Sequence, residues 1–302
     1  MTARSSRAYA GSDDLRRMQA VVARAAASTS LRVGDLAWLA RHHTHRELSL
    51  DIRLWESRAG QLLGFTFLTS KGGFIVFVVP GADDGTLIDE MLAVVEEAAA
   101  RSVAAGDPPV SLSTYGIDLA RSAEDRSLAA ALERHGFTMT ASTGGVLRRR
   151  LDQLPEPPAI PGYRLGSVRS AAQVLGRVEA QRAAFAPSDL TLEKYQRVRR
   201  TWPYRPGLDR IVMTADDVVV SFCTAWLDEE NAAGLLEPVG THPAHQRRGL
   251  AKAVCVDALR ALGEAGARTA QVGFVTDAAY ATYRAIGFQR SGTDLEFRRD
   301  VR

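Results

Sequence analysis

The amino-acid sequence predicts an α/β (α+β) protein built as two tandem halves of one plan, and three observations carry that prediction. Its 302 residues fit two domains of ordinary size better than one. Between Leu151 and Gly162 stand Pro155, Pro157, Pro158 and Pro161, a stretch that continues neither a helix nor a central strand and reads as a semi-rigid linker. On each side of it the apolar pattern gives helices, then strands, a helix, a strand, a helix and a closing strand. The predicted domains are therefore residues 1–150 and 163–302, joined by a linker over 151–162.

In the first half, residues 50–55, 62–69 and 74–79 read as strands and 86–103 as a helix. A strand over 110–114, a helix over 126–135 and a single closing strand over 138–147 follow. In the second half, 171–185 and 192–201 are predicted helices, and 210–214 and 218–226 are strands joined at Asp216-Asp217. A strand over 234–241 leads into a helix over 249–262, with Leu250, Val254, Ala258 and Leu262 on its apolar face. A strand at 267–275, a helix at 278–286 and a strand at 293–299 complete the half. Leu132-Glu133-Arg134-His135-Gly136-Phe137 matches Tyr283-Arg284-Ala285-Ile286-Gly287-Phe288 in placing Gly past a helix end and Phe behind it. That device is general, but the same element order leading to it in both halves points to duplication.

Composition narrows the function classes. The chain is 46% hydrophobic and 24% charged, and 38 Lys plus Arg nearly balance 35 Asp plus Glu, values of a globular protein without the clustered basic excess of a nucleic-acid binder. Cys223 and Cys255 make no disulfide framework, which suits core packing in a reducing cytoplasm. No apolar run reaches membrane-span length and the first residues lack a secretory apolar core, so neither membrane nor nucleic acid is an expected partner. His42, His43 and His45 are half of the six histidines, yet their spacing sets no pair on one helix face with a carboxylate, so no metal site is expected.

The stretch that carries chemistry runs from Leu236 to Ala251: a strand, a short turn, then Gln246-Arg247-Arg248-Gly249 opening a helix. The first N–H groups of a helix have no intrahelical partner and its dipole makes that end positive, so a pyrophosphate is the expected guest. Gly249 lets phosphate oxygens approach backbone, Ala251 keeps the next turn small, and Arg247 and Arg248 add forked cationic donors. For Arg-Arg-Gly alone, a solvated basic helix start is the simpler reading.

The longer string, Gln/Arg-x-x-Gly-x-Gly/Ala after a Val-x-x-x-Pro strand end, resembles the pyrophosphate loop of the GNAT acetyltransferases. The resemblance extends over the second half and, through the duplication, implies two tandem GNAT folds, each a mixed, mostly antiparallel sheet flanked by helices. Tandem architectures of this kind resemble mycothiol synthase-like actinobacterial acetyltransferases. In this family the fourth strand splays from the fifth and pantetheine lies in the gap. By position, Val239, Gly240 and Thr241 are then expected to meet the acetyl and pantetheine groups, the Val239 N–H polarising the thioester carbonyl, and Gln246, Arg247, Arg248, Gly249, Leu250 and Ala251 to cradle the pyrophosphate. Pro238 in that strand predicts a bulge or broken pairing.

The family's Asn-x-x-Ala-x-x-x-Tyr-x-x-x-Gly-Phe signature is matched from Thr276 to Phe288, with Ala279 and Tyr283 in place and Thr276 where Asn is usual. The resemblance makes Tyr283 the general acid for the departing thiolate; a packed core aromatic is the competing reading. Glu237 is the candidate general base, two residues before Val239 and on its face under regular alternation, a parity that a bulge at Pro238 would reverse. The competing reading is a surface carboxylate on a strand flank.

The first half has Asp83 and Asp84 where the second has Arg247 and Arg248, and Leu132 where the second has Tyr283, so it is expected to be a degenerate fold without CoA. Phe185, Asp189, Tyr195, Trp202, Tyr204 and Trp226 are candidate walls for an amine acceptor, and His242 and His245 flank the loop. The expected activity is acetyl-CoA-dependent N-acetylation of a small-molecule primary amine, by a monomer or homodimer, with no metal. An acyl-CoA sensor or scaffold, and a protein or peptide acetyltransferase, stand as alternatives.

Overall fold

The computed structural model describes residues 4–42, 48–69, 72–104, 111–140 and 144–300. The chain opens with β1 (Arg4–Ala8), α1 (Ser12–Arg24), α2 (Val33–His42) and α3 (Leu48–Asp51). Next come β2 (Ile52–Ser57), β3 (Leu62–Leu68), β4 (Phe74–Val78), α4 (Leu87–Ala104) and β5 (Ser111–Ile117). Helix α5 (Ala123–Arg134), β6 (Thr138–Thr140) and β7 (Gly145–Arg150) follow, then β8 (Tyr163–Ser167), α6 (Ala171–Ala184) and α7 (Leu192–Arg199). The chain ends with β9 (Asp209–Thr214), β10 (Val219–Asp228), β11 (Ala233–Thr241), α8 (Leu250–Glu264), β12 (Thr269–Phe274), α9 (Asp277–Ala285), β13 (Gln289–Gly292) and β14 (Leu295–Asp300).

Two compact units form, and they trade segments: one holds Met1–Arg32, His43–Gly144 and Gly292–Arg302, the other Val33–His42 and Gly145–Ser291. The sheets of the first unit run β1-β2-β3-β4 and β5-β14-β6, while the second unit has one sheet in the order β13-β7-β12-β11-β10-β9-β8. Each unit thus places a strand from the other half of the sequence between its own late strands. These units differ from the 1–150 and 163–302 division read in the sequence. The stretch 138–147, read there as one strand, is split between β6 in the first unit and β7 in the second. Strand alternation specifies which face is apolar but not which sheet edge the backbone will join, so the pattern could not foretell the exchange.

In the second unit α8 packs on one face of the sheet, over β9, β10 and β11, while α6 and α2 pack on the other, with α7 against both helices. Strand β10 is buried along its whole length. The α8 side is filled by Val254, Leu259, Leu262, Leu236, Val272 and Phe288, the other by Val178, Tyr195, Phe222, Trp226 and Trp38. Helix starts are fixed locally: Ser170 and Gln173 cap α6 reciprocally, and Thr191 caps α7. In the first unit α4 and α5 enclose a separate core that includes Phe74, Leu92, Leu132 and Phe297. No helix among the described residues is long and apolar enough to cross a membrane.

Candidate active site

The site grows from an irregularity in β11. Its register against β10 pairs Cys223 with Val239 but Ala225 with Leu236, so Glu237 and Pro238 together oppose Thr224. This is the bulge expected from a proline that cannot donate to the ladder. On its other edge β11 pairs in parallel with β12 over Ala233, Gly234 and Leu235, and no further pairing follows among the described residues. The two strands part beyond Leu235. The His242 N–H bonds to Val220 O across β10, so strand alternation turns the N–H groups of Thr241 and Val239 the other way, into the gap.

The bulge also reverses parity. Leu236 and Val239 both face the α8 core, whereas Leu235 faces the core under α6, as does the α2 segment beside Glu237. Glu237 and Val239 therefore do not share a face as regular alternation requires; the extra residue takes up half a period. Glu237 meets a partner that its sequence neighbourhood does not contain. Asp35 of α2 is hydrogen-bonded to its carboxyl, and burial first, then the Asp35 charge, push Glu237 well above the usual carboxylate range. The indole of Trp226 donates from Nε1 to the Glu237 carbonyl at 2.5 Å, holding the bulged backbone.

Tyr283 is 6% exposed in the α8-side core, beside Phe288 with ring centroids 6.0 Å apart. Burial pushes its phenol well above the ordinary value, and Cys255, Cys223 and Glu237 push in the same direction. At neutral pH it therefore keeps its proton, the form a general acid requires.

Past β11, a 3₁₀ turn over Pro243–His245 leads to α8. Arg247 and Gly249 take left-handed conformations, φ 57° and 79°, which turns successive backbone N–H groups outward. Gly249 is the N-cap, and no side chain caps the helix. Gln246, Arg247, Arg248 and Gly249 are exposed, with no acidic residue in the first turn. The result is an uncapped, positively charged helix start open to solvent. Arg248 donates to the Tyr163 hydroxyl at 2.8 Å, and that hydroxyl also lies 2.9 Å from His245 Nδ1. Burial, Arg248 and His242 lower the His245 pKa, favouring its neutral form.

The remaining predicted residues fall into place unevenly. Thr241 Oγ1 is 2.8 Å from Ser221 Oγ, and Gly240 O accepts from the same serine at 3.0 Å. Leu250 is buried in the α8 core, so only its backbone is open to a ligand, and Ala251 is half-buried. The Thr276 hydroxyl accepts from Ala279 N–H at 3.2 Å as the N-cap of α9. Of the proposed acceptor walls, Tyr195 and Trp226 are core, Phe185 and Trp202 remain open, and Asp189 pairs with Lys194 at 2.9 Å. Tyr195 and Tyr204 both donate to Asp209, which pairs with the fully buried Arg177; Arg177 also donates to Thr224 opposite the bulge. Sequence reading missed Asp35, Tyr163 and this Arg177–Asp209 network, whose partners are distant in the chain. Of the histidine cluster, His43 and His45 and the side chain of His42 lie outside the described residues.

Residues 178–288 match the model of the acetyltransferase (GNAT) family. Comparison with curated sequences finds no match. Among solved structures, a GCN5-related N-acetyltransferase from Sphaerobacter thermophilus is similar at a TM-score of 0.68 and 17% identity, over 99% of this chain and 96% of that one. A tandem GNAT protein from the clavulanic acid biosynthesis pathway gives 0.66 at 15% identity, over 99% and 98%. Saccharomyces cerevisiae N-myristoyltransferase with bound myristoyl-CoA gives 0.64 at 10%, over 99% and 78%. At such identities the likeness is one of fold: the chain has the mixed, mostly antiparallel α/β architecture of tandem GNAT proteins.

Proposed function

From the match of residues 178–288 to the acetyltransferase (GNAT) family model, we propose that this chain is an N-acetyltransferase that moves the acetyl group of acetyl-CoA to a primary amine of a small molecule. The observation that carries the reading is the parting of β11 from β12 at Leu235, together with the uncapped start of α8. The fit to CoA is specific in its chemistry. A pyrophosphate suits the open N–H groups from Arg247 to Ala251, with the side chains of Arg247 and Arg248 beside them, and a pantetheine amide suits the backbone groups turned into the gap at Val239 and Thr241.

Within that frame each residue has a task. The Val239 N–H donates to the thioester carbonyl oxygen as negative charge develops there. Glu237 accepts a proton from the ammonium, and a raised pKa brings its basicity closer to the working pH. Tyr283 supplies a proton to the departing sulfur; a phenol's reference pKa of about 10 already exceeds that of a thiol, about 8.5, and burial makes this transfer more uphill still. Thr276 caps α9 and so sets the helix that carries Tyr283.

A thiol-release screen with acetyl-, propionyl- and succinyl-CoA against alkyl, aralkyl, poly- and sugar amines tests the reading. Acetyl-CoA with at least one amine should release thiol fastest. Binding of acetyl-CoA without release on any amine would favour a sensor or scaffold instead.

A further inference from the structure

Asp35 is far from Glu237 in the chain, yet the two carboxyls meet. Gly34 makes the approach possible: a Cβ there would lie 2.3 Å from Trp226 Cγ, so only a glycine lets α2 press its backbone on the indole. The same indole holds the Glu237 carbonyl, and Ala37 and Trp38 bury the next turn of α2 in the core under α6. Helix α2 is therefore anchored by apolar contacts beside the carboxyl pair. Placing two acids together costs solvation and Coulomb energy, which a purely structural contact would avoid. The groups around Glu237 that titrate are Asp35 of α2 and Tyr283 of α9, with Cys223 of β10 and Cys255 of α8 next to Tyr283. The Arg177–Asp209 ion pair of α6 and β9 reaches Thr224 opposite the bulge.

Granting amine acetylation as above, we propose that Asp35 and Glu237 together form the acceptor site, a carboxyl pair that receives the substrate as a primary ammonium ion, with Asp35 positioning Glu237 for proton transfer. The ammonium gives one proton to the pair, its nitrogen forms the C–N bond, and the C–S bond breaks. The second proton leaving nitrogen balances the one Tyr283 gives to sulfur, so the products are an amide, a free thiol and one proton returned to solvent. A pair sharing one proton carries one negative charge and matches one ammonium. The substrate class is thus a cationic amine; an aniline-type nitrogen, neutral at working pH, would gain little.

The test is a carboxyl ¹³C NMR titration of the full chain, with ethylammonium chloride as the probe and sodium chloride at equal ionic strength as the reference. Ethylammonium is small enough to enter whatever the side-chain walls select. One carboxyl should titrate well above the normal Glu range, and ethylammonium should lower its midpoint because a bound cation favours the ionised pair. Asp35→Asn should lower that midpoint by about one pH unit or more and weaken the ethylammonium effect, while Asp35→Glu should restore both. Should Asp35→Asn fail to fold, Glu237→Gln serves equally: the high-titrating carboxyl should disappear from the spectrum, and the ethylammonium effect with it. A wild-type midpoint indifferent to ethylammonium, or one unmoved by Asp35→Asn, would overturn the pair. Calorimetry with acetyl-CoA reads the acetyltransferase assignment separately: no binding there, with the ethylammonium effect intact, would sink that assignment and leave the cation site standing.

Discussion

The two units of this chain build the same junction, a strand end running into a helix start, and give it opposite electrostatics. In the second unit the start of α8 has no side-chain cap and bears Arg247 and Arg248. In the first, Asp83 accepts from the N–H groups of Gly85 and Leu87, and Asp84 accepts from Thr86 N–H, so carboxylates of the chain already sit where an anion would. Arg4 of β1 then closes over them, 2.8 Å from both Asp84 and Glu90. One junction is satisfied internally, the other is left open. The same strand-to-helix scaffold thus carries opposite charge in the two units, set by a few loop side chains.

The comparison breaks most visibly if the second half is cut free. The sequence reads 163–302 as self-contained, but β7 lies inside its sheet between β13 and β12, and α2 completes the core under α6. A fragment from Tyr163 onward loses both, leaving two unpaired strand edges and an opened core. It should lack a cooperative thermal transition, whereas the full chain should show one; a folded fragment with native acetyl-CoA affinity would contradict the exchange.

Tyr283→Phe sharpens the difference at the chemical step, since the first unit has Leu132 in that place. The ring stays and packing beside Phe288 is kept, so acetyl-CoA affinity should hold. Single-turnover acetyl transfer should fall by about 100-fold to 10,000-fold, the usual contribution of a general acid. Arg248→Glu, which gives the second junction the charge of the first, should weaken acetyl-CoA binding by about 10-fold to 150-fold, as expected for loss of a charged hydrogen bond. Isothermal calorimetry decides it; an unchanged dissociation constant would remove this loop from phosphate binding.

The smallest effect belongs to the closed junction. Arg4, through its hydrogen bond first, draws the Asp84 carboxyl down to about 2. A depressed carboxylate stabilises the fold above its unfolded pKa of about 3.9, and the contribution disappears as pH falls through the folded value. Arg4→Ala should therefore flatten the loss of thermal midpoint between about pH 4 and pH 2 and leave acetyl-CoA binding at neutral pH untouched.

Local features of the fold were legible because local rules produce them. Pro238 announced the bulge, Asp216-Asp217 the turn between β9 and β10, and Gly249 the helix start, each by backbone constraints that act within a few residues. Tyr283 reads in the sequence as a general acid, with a packed core aromatic as the competing reading, and its burial beside Phe288 is compatible with both. What escaped depends on contacts between distant segments. Asp35 sits in a polar-apolar pattern typical of any helix start, and nothing in that pattern shows that Gly34 will rest on Trp226. The exchange of β7 and β14 is likewise invisible to alternation, which gives both strands the same signature. Tyr163 opens a strand, and its hold on Arg248 follows only from the sheet order that brings β8 beside β9.

Calorimetric titration of the full chain with acetyl-CoA tests most directly whether one junction alone is open. The expected result is one molecule bound per chain, with affinity sharply reduced in Arg248→Glu. Two equivalent sites per chain, or a single site indifferent to Arg248→Glu, would contradict it.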